Sequence, residues 1–386
     1  MALRTSVSLL GATGSIGTQT LDVLRTQPEN FELVAISGGQ RLNELANIAK
    51  EFRVRSVGVV SERDRDELRT LVDHDVDIVI GADGLAELAS RADTVVNAVV
   101  GFAGLPVTLS ALSSGKRLAL ANKESLIAAA PLVQKVRDTP NAQILPIDSE
   151  HCAIHQCLAS SSEARHPDVR MIHLTASGGP FRGKTREELE HVTKHDALQH
   201  PTWSMGPKIT IDSSTLMNKG LEVLEASALF GIGVDRVNVV VHPQSVVHSM
   251  VEYIDGSVLA QLSMPDMRLP IAYCLGAPSR FNHAWGSIDF TKALSLSFEA
   301  PDREAFPALD LAYEAARRSG AAPAWLSAAN EVAVAAFLHD QISWSRIISL
   351  VRDVMDCYDD TPIDTLDELF DNDANARRIA AGMVTT

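Results

Sequence analysis

Two kinds of apolar pattern divide the chain. In the first third, short apolar runs at Ser6–Leu10, Phe31–Ile36, Val57–Val60, Val76–Ile80, Thr94–Val100 and Arg117–Leu120 are each followed by a turn and then by apolar residues at helical spacing. Strand, turn and helix repeated in this order predict a mostly parallel sheet with helices on its faces. Ile144–Ile147 predicts one more strand, followed by a helix over Ala153–Ala159. Leu174–Ser177 predicts a strand and the spacing from Leu216 onward a helix, while between Val237 and Leu262 strand-like runs are frequent and helices few. From Arg303 onward the pattern is helical, over Phe306–Arg318, Ala324–His339, Ser343–Tyr358 and Thr365–Met383, and predicts a small bundle. Asn330-Glu331 is polar within an otherwise apolar run there and is expected to face the other domains.

Composition narrows this picture. With 386 residues and 46% hydrophobic content the chain can build two or three domains with real cores. A formal net charge of -15 argues against a general nucleic-acid partner. The cysteines, Cys152, Cys157, Cys274 and Cys357, form no CxxC pair, which suits free thiols in a reducing compartment. The first residues run straight into a strand, with no leader pattern and no apolar run of membrane length, so a cytoplasmic location without membrane attachment is expected.

The first strand leads into Gly11-Ala-Thr-Gly14-Ser-Ile-Gly17 and then a helix. This is the context a dinucleotide turn requires: the backbone can approach a pyrophosphate, and the helix N-terminus offers unpaired N–H groups. Thr13, Gly14, Ser15 and Ile16 are the expected contacts. After the second strand, Gly38, Gly39, Gln40 and Arg41 offer no carboxylate for a ribose. A polar amide and a guanidinium suit the 2′-phosphate of NADPH instead, unless Arg41 merely begins the next helix on its solvent side. Ligands of such sheets sit beyond the carboxyl ends of the strands, where Asn97, Gly101, Asn122, Lys123 and Glu124 fall. Position alone leaves Lys123 open between a ligand contact and a surface lysine.

Asp148 and Glu150 follow the Ile144–Ile147 strand at two-residue spacing. In an extended segment that puts two like charges on one side, which calls for a cation between them. Oxygen ligands suit Mg2+ or Mn2+, and a third acid is needed. His151 is read as packing or capping. Downstream, Asn218, Lys219 and Glu222 share a helix face, and Ser213 precedes them. Hydroxyl, amide and ammonium together make a phosphate cradle with Glu222 beside it; the alternative is a surface Lys–Glu pair with Ser213 and Ser214 starting the helix. Ser177, before Gly178 and Gly179, can add a hydroxyl. His195–Lys208, with two prolines, a glycine, Trp203 and Met205, is expected to be a loop, either a lid that excludes water or a surface loop pinned by its tryptophan. His200 could touch the phosphate or substrate and Trp203 the bound carbon chain; His248 is a weaker candidate.

These segments are GATGSIG at 11–17, ALANKESL at 119–126, PIDSEH at 146–151, TASGGPF at 175–181, HPTWSMGPKITIDSSTLMNKGLEV at 200–223, HPQSVVHSMVEY at 242–253 and AANEVAVAAF at 328–337. In this order they resemble the 1-deoxy-D-xylulose 5-phosphate reductoisomerase family along nearly the whole chain. The resemblance implies an α/β fold: an N-terminal Rossmann-like domain (1–147), a central α+β catalytic domain with a flexible lid (148–280), a linker (281–305) and a C-terminal helical bundle (306–386). It implies a homodimer that uses NADPH and Mn2+, Mg2+ or Co2+. It would convert a small phosphorylated sugar, 1-deoxy-D-xylulose 5-phosphate, to 2-C-methyl-D-erythritol 4-phosphate by rearrangement and reduction.

By the same resemblance Asp148, Glu150 and Glu222 hold the metal, and Ser177, Ser213, Asn218 and Lys219 hold the phosphate. Lys123 and Ser149 contact the substrate, with His200, Trp203 and Met205 in the lid and His248 near the site. Asn122, Glu124 and Gly206 join the cofactor contacts. Two positions depart from the family pattern: Gln40 stands near where relatives often have asparagine, and Cys152 where they commonly have asparagine. A simple NADP-dependent dehydrogenase and a metal-free NADP-binding regulator are the competing readings.

Overall fold

The computed structural model describes residues 4–159, 166–203, 205–283 and 285–384. Two compact units divide the chain: Met1–Ser125 with Val133–Cys152 and Asp266–Gly286, and Leu126–Leu132 with Ala153–Pro265 and Ser287–Thr386. Of the loop expected at His195–Lys208, Ser204 lies outside the described residues.

The first unit is built on seven strands: β1 (Thr5–Leu10), β2 (Phe31–Ser37), β3 (Ser56–Val59), β4 (Asp77–Ile80), β5 (Thr94–Asn97), β6 (Arg117–Leu120) and β7 (Gln143–Pro146). Their order is β4-β3-β2-β1-β5-β6-β7, and every pairing is parallel. A sheet covered on both faces needs strands that are apolar throughout, and β1 and β5 are buried along most of their length. Successive strands run outward from β1 to one edge and from β5 to the other. The order therefore reverses between β1 and β5, the place where a doubly wound sheet opens a crevice for a ligand.

The core of this unit joins Val7, Leu9, Leu21, Leu33, Ile36 and Leu45 to Ile271, Cys274 and Leu275. The last three come from helix Arg268–Gly276, which packs on helix Ser15–Thr26 and on β6 and β7. The chain leaves this unit after Cys152 and returns to it only at Asp266. Periodicity cannot reveal such a return, because an apolar helix face does not state which sheet it will cover.

The second unit holds β8 (Val169–Ala176), β9 (Val237–Val241), β10 (Val247–Tyr253) and β11 (Val258–Leu262), in the order β11-β10-β8-β9. β8 and β9 are parallel and the other pairs antiparallel. Helix Met217–Phe230 is buried on nearly every side. Gly220 lets helix Ala308–Arg318 approach it, since a Cβ there would stand 2.8 Å from Ala312 Cβ. Helices Ala308–Arg318, Ala322–Leu338, Trp344–Asp356 and Leu366–Val384 match the helical expectation to within a few residues. Among the described residues no helix is long and apolar enough to cross a membrane.

Candidate active site

In the first unit, the glycine turn sits above the β1–β5 reversal. Gly11 has φ +93°, and a Cβ on it would lie 2.4 Å from Ala98 O, just beyond β5. A Cβ on Gly17 would lie 2.3 Å from Gly11 O, so helix Ser15–Thr26 can start this close only with glycine there. Thr13 is buried and Ser15 exposed. Gly14 caps the helix with no side-chain acceptor, and no acid stands in the first turn. The N-terminal N–H groups of a helix left in this state suit a phosphate anion. At the end of β2, Ser37 Oγ accepts a hydrogen bond from Gly11 N at 3.1 Å. Gln40 and Arg41 are exposed beyond Gly38, with Arg41 paired to Glu44 at 3.1 Å.

Asn122 is buried, and its side chain is committed to the protein. Nδ2 donates to Val99 O and Gly101 O, each at 2.6 Å, and Oδ1 accepts from Ser125 N at 3.0 Å and from Ser125 Oγ. It ties the turn after β5 to the start of helix Lys123–Ala128. Its side chain therefore shapes the crevice, a role that position at a strand end did not reveal. Glu124 is buried beside it.

Lys123 is not a surface lysine. It is 9% exposed, and its Nζ lies 2.6 Å from Asp148 Oδ2. The two acids do not lie along an extended segment, as their spacing predicted. Helix Ser149–Leu158 begins four residues earlier than expected, and Cys152 N donates to Asp148 O at 2.8 Å. Asp148 stands just outside the helix and Glu150 in its first turn, where the N-terminal dipole favours negative charge. Ser149 Oγ donates to Glu150 Oε2 at 2.5 Å. His151 is fully buried, with Nδ1 3.9 Å from Asp148 Oδ2. Cys152 is likewise buried, and Cys274 Sγ donates to Pro146 O at 3.1 Å.

In the second unit, two helices meet at a sharp break. Helix Pro207–Ser214 ends where Leu216 takes φ +61°, an unusual conformation for a side chain of that size, and helix Met217–Phe230 follows. Ser213 is thus in the last turn of one helix, not at the start of the next, while Asn218 and Lys219 are in the first turn of the second. Lys219 is 4% exposed and Glu222 1%, and they are bonded to each other. Asn218 Nδ2 donates to Glu222 Oε1 at 2.5 Å. Such burial rules out a surface ion pair: two desolvated charges persist only where each is well held.

Ser177 follows β8, and its Oγ lies 3.0 Å from His200 Nε2. His200 Nδ1 accepts from Thr202 N at 3.1 Å and Trp203 N at 2.9 Å. An Nδ1 that accepts two N–H groups carries no proton, and burial also pulls the His200 pKa below the ordinary imidazole value. With Nδ1 accepting, the proton sits on Nε2 and is donated to Ser177. The Trp203 and His248 rings are 6.2 Å apart, and His248 Nε2 lies 2.9 Å from Ser263 Oγ. Among the described residues of the expected loop, the short helix Lys194–Ala197 takes the first and helix Pro207–Ser214, capped by Gly206, the last two.

Three family profiles match in succession: 1-deoxy-D-xylulose 5-phosphate reductoisomerase over residues 7–130, its C-terminal domain over 144–230, and the DXP reductoisomerase C-terminal domain over 262–379. The enzyme of that name from Chlorobaculum tepidum is 49% identical over 98% of this chain and 99% of its own length. That from Chloroherpeton thalassium is 48% identical over 96% of each. The chain belongs to the 1-deoxy-D-xylulose 5-phosphate reductoisomerase family. The reductoisomerase from Zymomonas mobilis, solved in complex with NADPH, superposes with a TM-score of 0.92 at 42% identity, covering 99% of each chain. A second reductoisomerase, solved with NADPH, fosmidomycin and magnesium, gives 0.92 at 40% identity, covering 99% of this chain and 98% of that one.

Buried polar residues next to the candidates that sequence reasoning passed over are Asp212, before Ser213, and Thr175 and Ser263, both bonded to His248. Asp212 is 1% exposed, and Thr175 Oγ1 donates to Val247 O and His248 O, both at 2.8 Å. For Thr175 the available signal was a polar residue inside an apolar strand; Asp212 follows the short run Ile209–Ile211, and Ser263 follows β11.

Proposed function

We propose that this chain converts 1-deoxy-D-xylulose 5-phosphate to 2-C-methyl-D-erythritol 4-phosphate, with NADPH as reductant and Mg2+ or Mn2+ as the required ion. The full-length family match carries the reading, and each local environment supports it. The open helix N-terminus at Gly14 suits a pyrophosphate, and the acid-free end of β2 with exposed Arg41 suits a 2′-phosphate. Asp148 and Glu150 offer only oxygen ligands, as a hard divalent ion prefers, and Glu222 is assigned as the third carboxylate.

NADPH held at the Gly11–Gly17 turn would supply the hydride, and a divalent ion held by Asp148, Glu150 and Glu222 would supply Lewis-acid polarisation of the substrate carbonyl. The chain's own groups do the rest. Lys219, Asn218, Ser213 and Ser177 hold the phosphate, fixing one end of a small flexible substrate so that its binding energy can be used in the reaction. Ser149 and Lys123 orient the carbon backbone. Lys123 also places a cation against Asp148. His200, Trp203 and Met205 close over the substrate and exclude water, which prevents loss of fragments during rearrangement.

The functional division into a cofactor domain (1–147), a catalytic domain (148–280), a linker (281–305) and a helical domain (306–386) goes with this reading. So does a cytoplasmic location, supported by free cysteines. A homodimer is the further expectation. Its support is edge strand β11, with Val258 50% and Leu259 41% exposed, and the apolar stretch bearing Phe290 at 74% and Phe298 at 45% exposure. The deciding experiment is product analysis alongside NADPH oxidation, with and without the divalent ion. Branched product formed only with the ion supports the proposal. Reduction without rearrangement, or full turnover after chelation, would point to a simple dehydrogenase.

A further inference from the structure

Asp212 is 1% exposed in helix Pro207–Ser214, one residue before Ser213. A carboxylate so placed needs donors. Lys208, one turn earlier in the same helix, brings Nζ to 2.8 Å from Oδ2. Asn330, fully buried in helix Ala322–Leu338, donates Nδ2 to Oδ1 at 2.8 Å. This is the polar interruption that stands out in the apolar sequence of that helix. Its neighbour Glu331 points to a different partner, pairing with Arg377 at 2.7 Å.

The residue after Ser213 is held as well. Trp344 Nε1 donates to Ser214 Oγ at 2.8 Å, and Ser214 Oγ donates to Ile211 O at 2.7 Å. The Ser177–Gly179 turn lies against the same backbone: Gly179 has φ +68°, and a Cβ on it would stand 2.4 Å from Ser213 O. Ser213 therefore sits between two residues that the C-terminal helices grip, one through Asn330 and one through Trp344.

We infer that Asn330 is a positioning residue for the phosphate pocket, acting through Asp212 to fix the Ser213 backbone. The helical region thereby sets the substrate's anchor without touching the substrate. This rests on the phosphate role proposed for Ser213. The physical reason is the burial of Asp212. Without the Asn330 amide, one carboxylate oxygen loses a charge-assisted bond, and the side chain turns toward Lys208 or toward water, moving the last helical turn. A displacement of about 1 Å in a group that orients substrate costs on the order of a hundred-fold in efficiency, and smaller shifts proportionally less.

The test uses the full-length enzyme with Asn330→Leu, Asn330→Ser, Asp212→Asn and the Asp212→Asn/Asn330→Leu double variant. Asn330→Leu is expected to raise KM for 1-deoxy-D-xylulose 5-phosphate about ten-fold and to weaken inhibition by inorganic phosphate in parallel, with kcat and NADPH affinity nearly unchanged. The double variant should fall well short of the product of the single effects, because both changes break one link. If Asn330→Leu does not fold, Asn330→Ser is read in the same way. A lowered Tm with unchanged KM, or single effects that simply multiply, would overturn the inference. Ser213→Ala separates the two levels. If it leaves KM and phosphate inhibition untouched, the phosphate reading itself fails. If it raises both while the Asn330 variants raise neither, only this inference fails. Asp340→Ala removes a different tie to the same helix region, the 2.5 Å contact from Lys194 Nζ, and is expected to behave as wild type.

Discussion

Lys123 Nζ lies 2.6 Å from Asp148 Oδ2, with the two side chains only 11% and 15% exposed, just beyond the carboxyl ends of neighbouring strands β6 and β7. A lysine and a metal-ligand candidate in direct contact act together, since each sets the charge the other meets. Removing the lysine takes a cation from the substrate's surroundings but leaves every carboxylate in place. Lys123→Ala is therefore expected to cut kcat/KM by about 10²-fold or more. Mn2+ affinity, measured by calorimetry, should hold or tighten. Loss of Mn2+ binding in a folded variant would show that the lysine supports the acids rather than the substrate.

Glu150 accepts from Ser149 Oγ and belongs to the first turn of its helix. The isosteric change Glu150→Gln keeps that turn and removes the charge. Metal-dependent turnover should fall to near the detection limit, and chelation of the wild-type enzyme should do the same. NADPH binding, followed by its fluorescence, should survive both treatments. Equal loss of NADPH binding in a folded Glu150→Gln variant would mean that the two sites are not separate.

Asn122 answers four protein groups with one side chain. Asn122→Ala leaves two partly buried carbonyls without this donor and removes a helix cap. The expected loss is on the order of 2–4 kcal/mol, read from urea unfolding at constant m-value. A variant as stable as wild type would place the importance of Asn122 in the cofactor and not in the fold.

Burial lowers the pKa of His200, and burial lowers those of His155 and His166 as well. The unfolded chain then binds more protons than the folded one between the ordinary imidazole value and the lowered ones. Stability must fall as pH drops through that window. The urea midpoint should be lower at about pH 5.5 than at about pH 7.5, and the gap should narrow in His200→Gln. A midpoint that rises on acidification would contradict the burial of these rings.

Much of the molecule could be read from the chain because the deciding signals are local. The β1–Gly11–helix turn, the strand and helix alternation and the four C-terminal helices depend on spacing between neighbours in sequence. The proposal of Asp148 and Glu150 as ligands rests on a local signal too, the polar groups that follow an apolar run, and that of Glu222 on its helical spacing to Asn218 and Lys219. The helix start at Ser149 was missed because Asp148-Ser149-Glu150 fits both an extended end and a first helical turn. Only the Cys152 N–Asp148 O bond separates the two.

Tertiary structure decided what sequence distance conceals. Lys123 was open between surface and site until β6 and β7 placed it against Asp148. Asn122 became a clamp only when its partners Val99 and Gly101 were known. Asn330 read as a polar interruption, and its meaning lies in Asp212, a residue 118 positions away. Periodicity tells a residue which face it occupies, because that follows from backbone geometry alone. It does not tell which partner waits there, because burial and hydrogen bonding are settled between segments that meet only when the chain has folded.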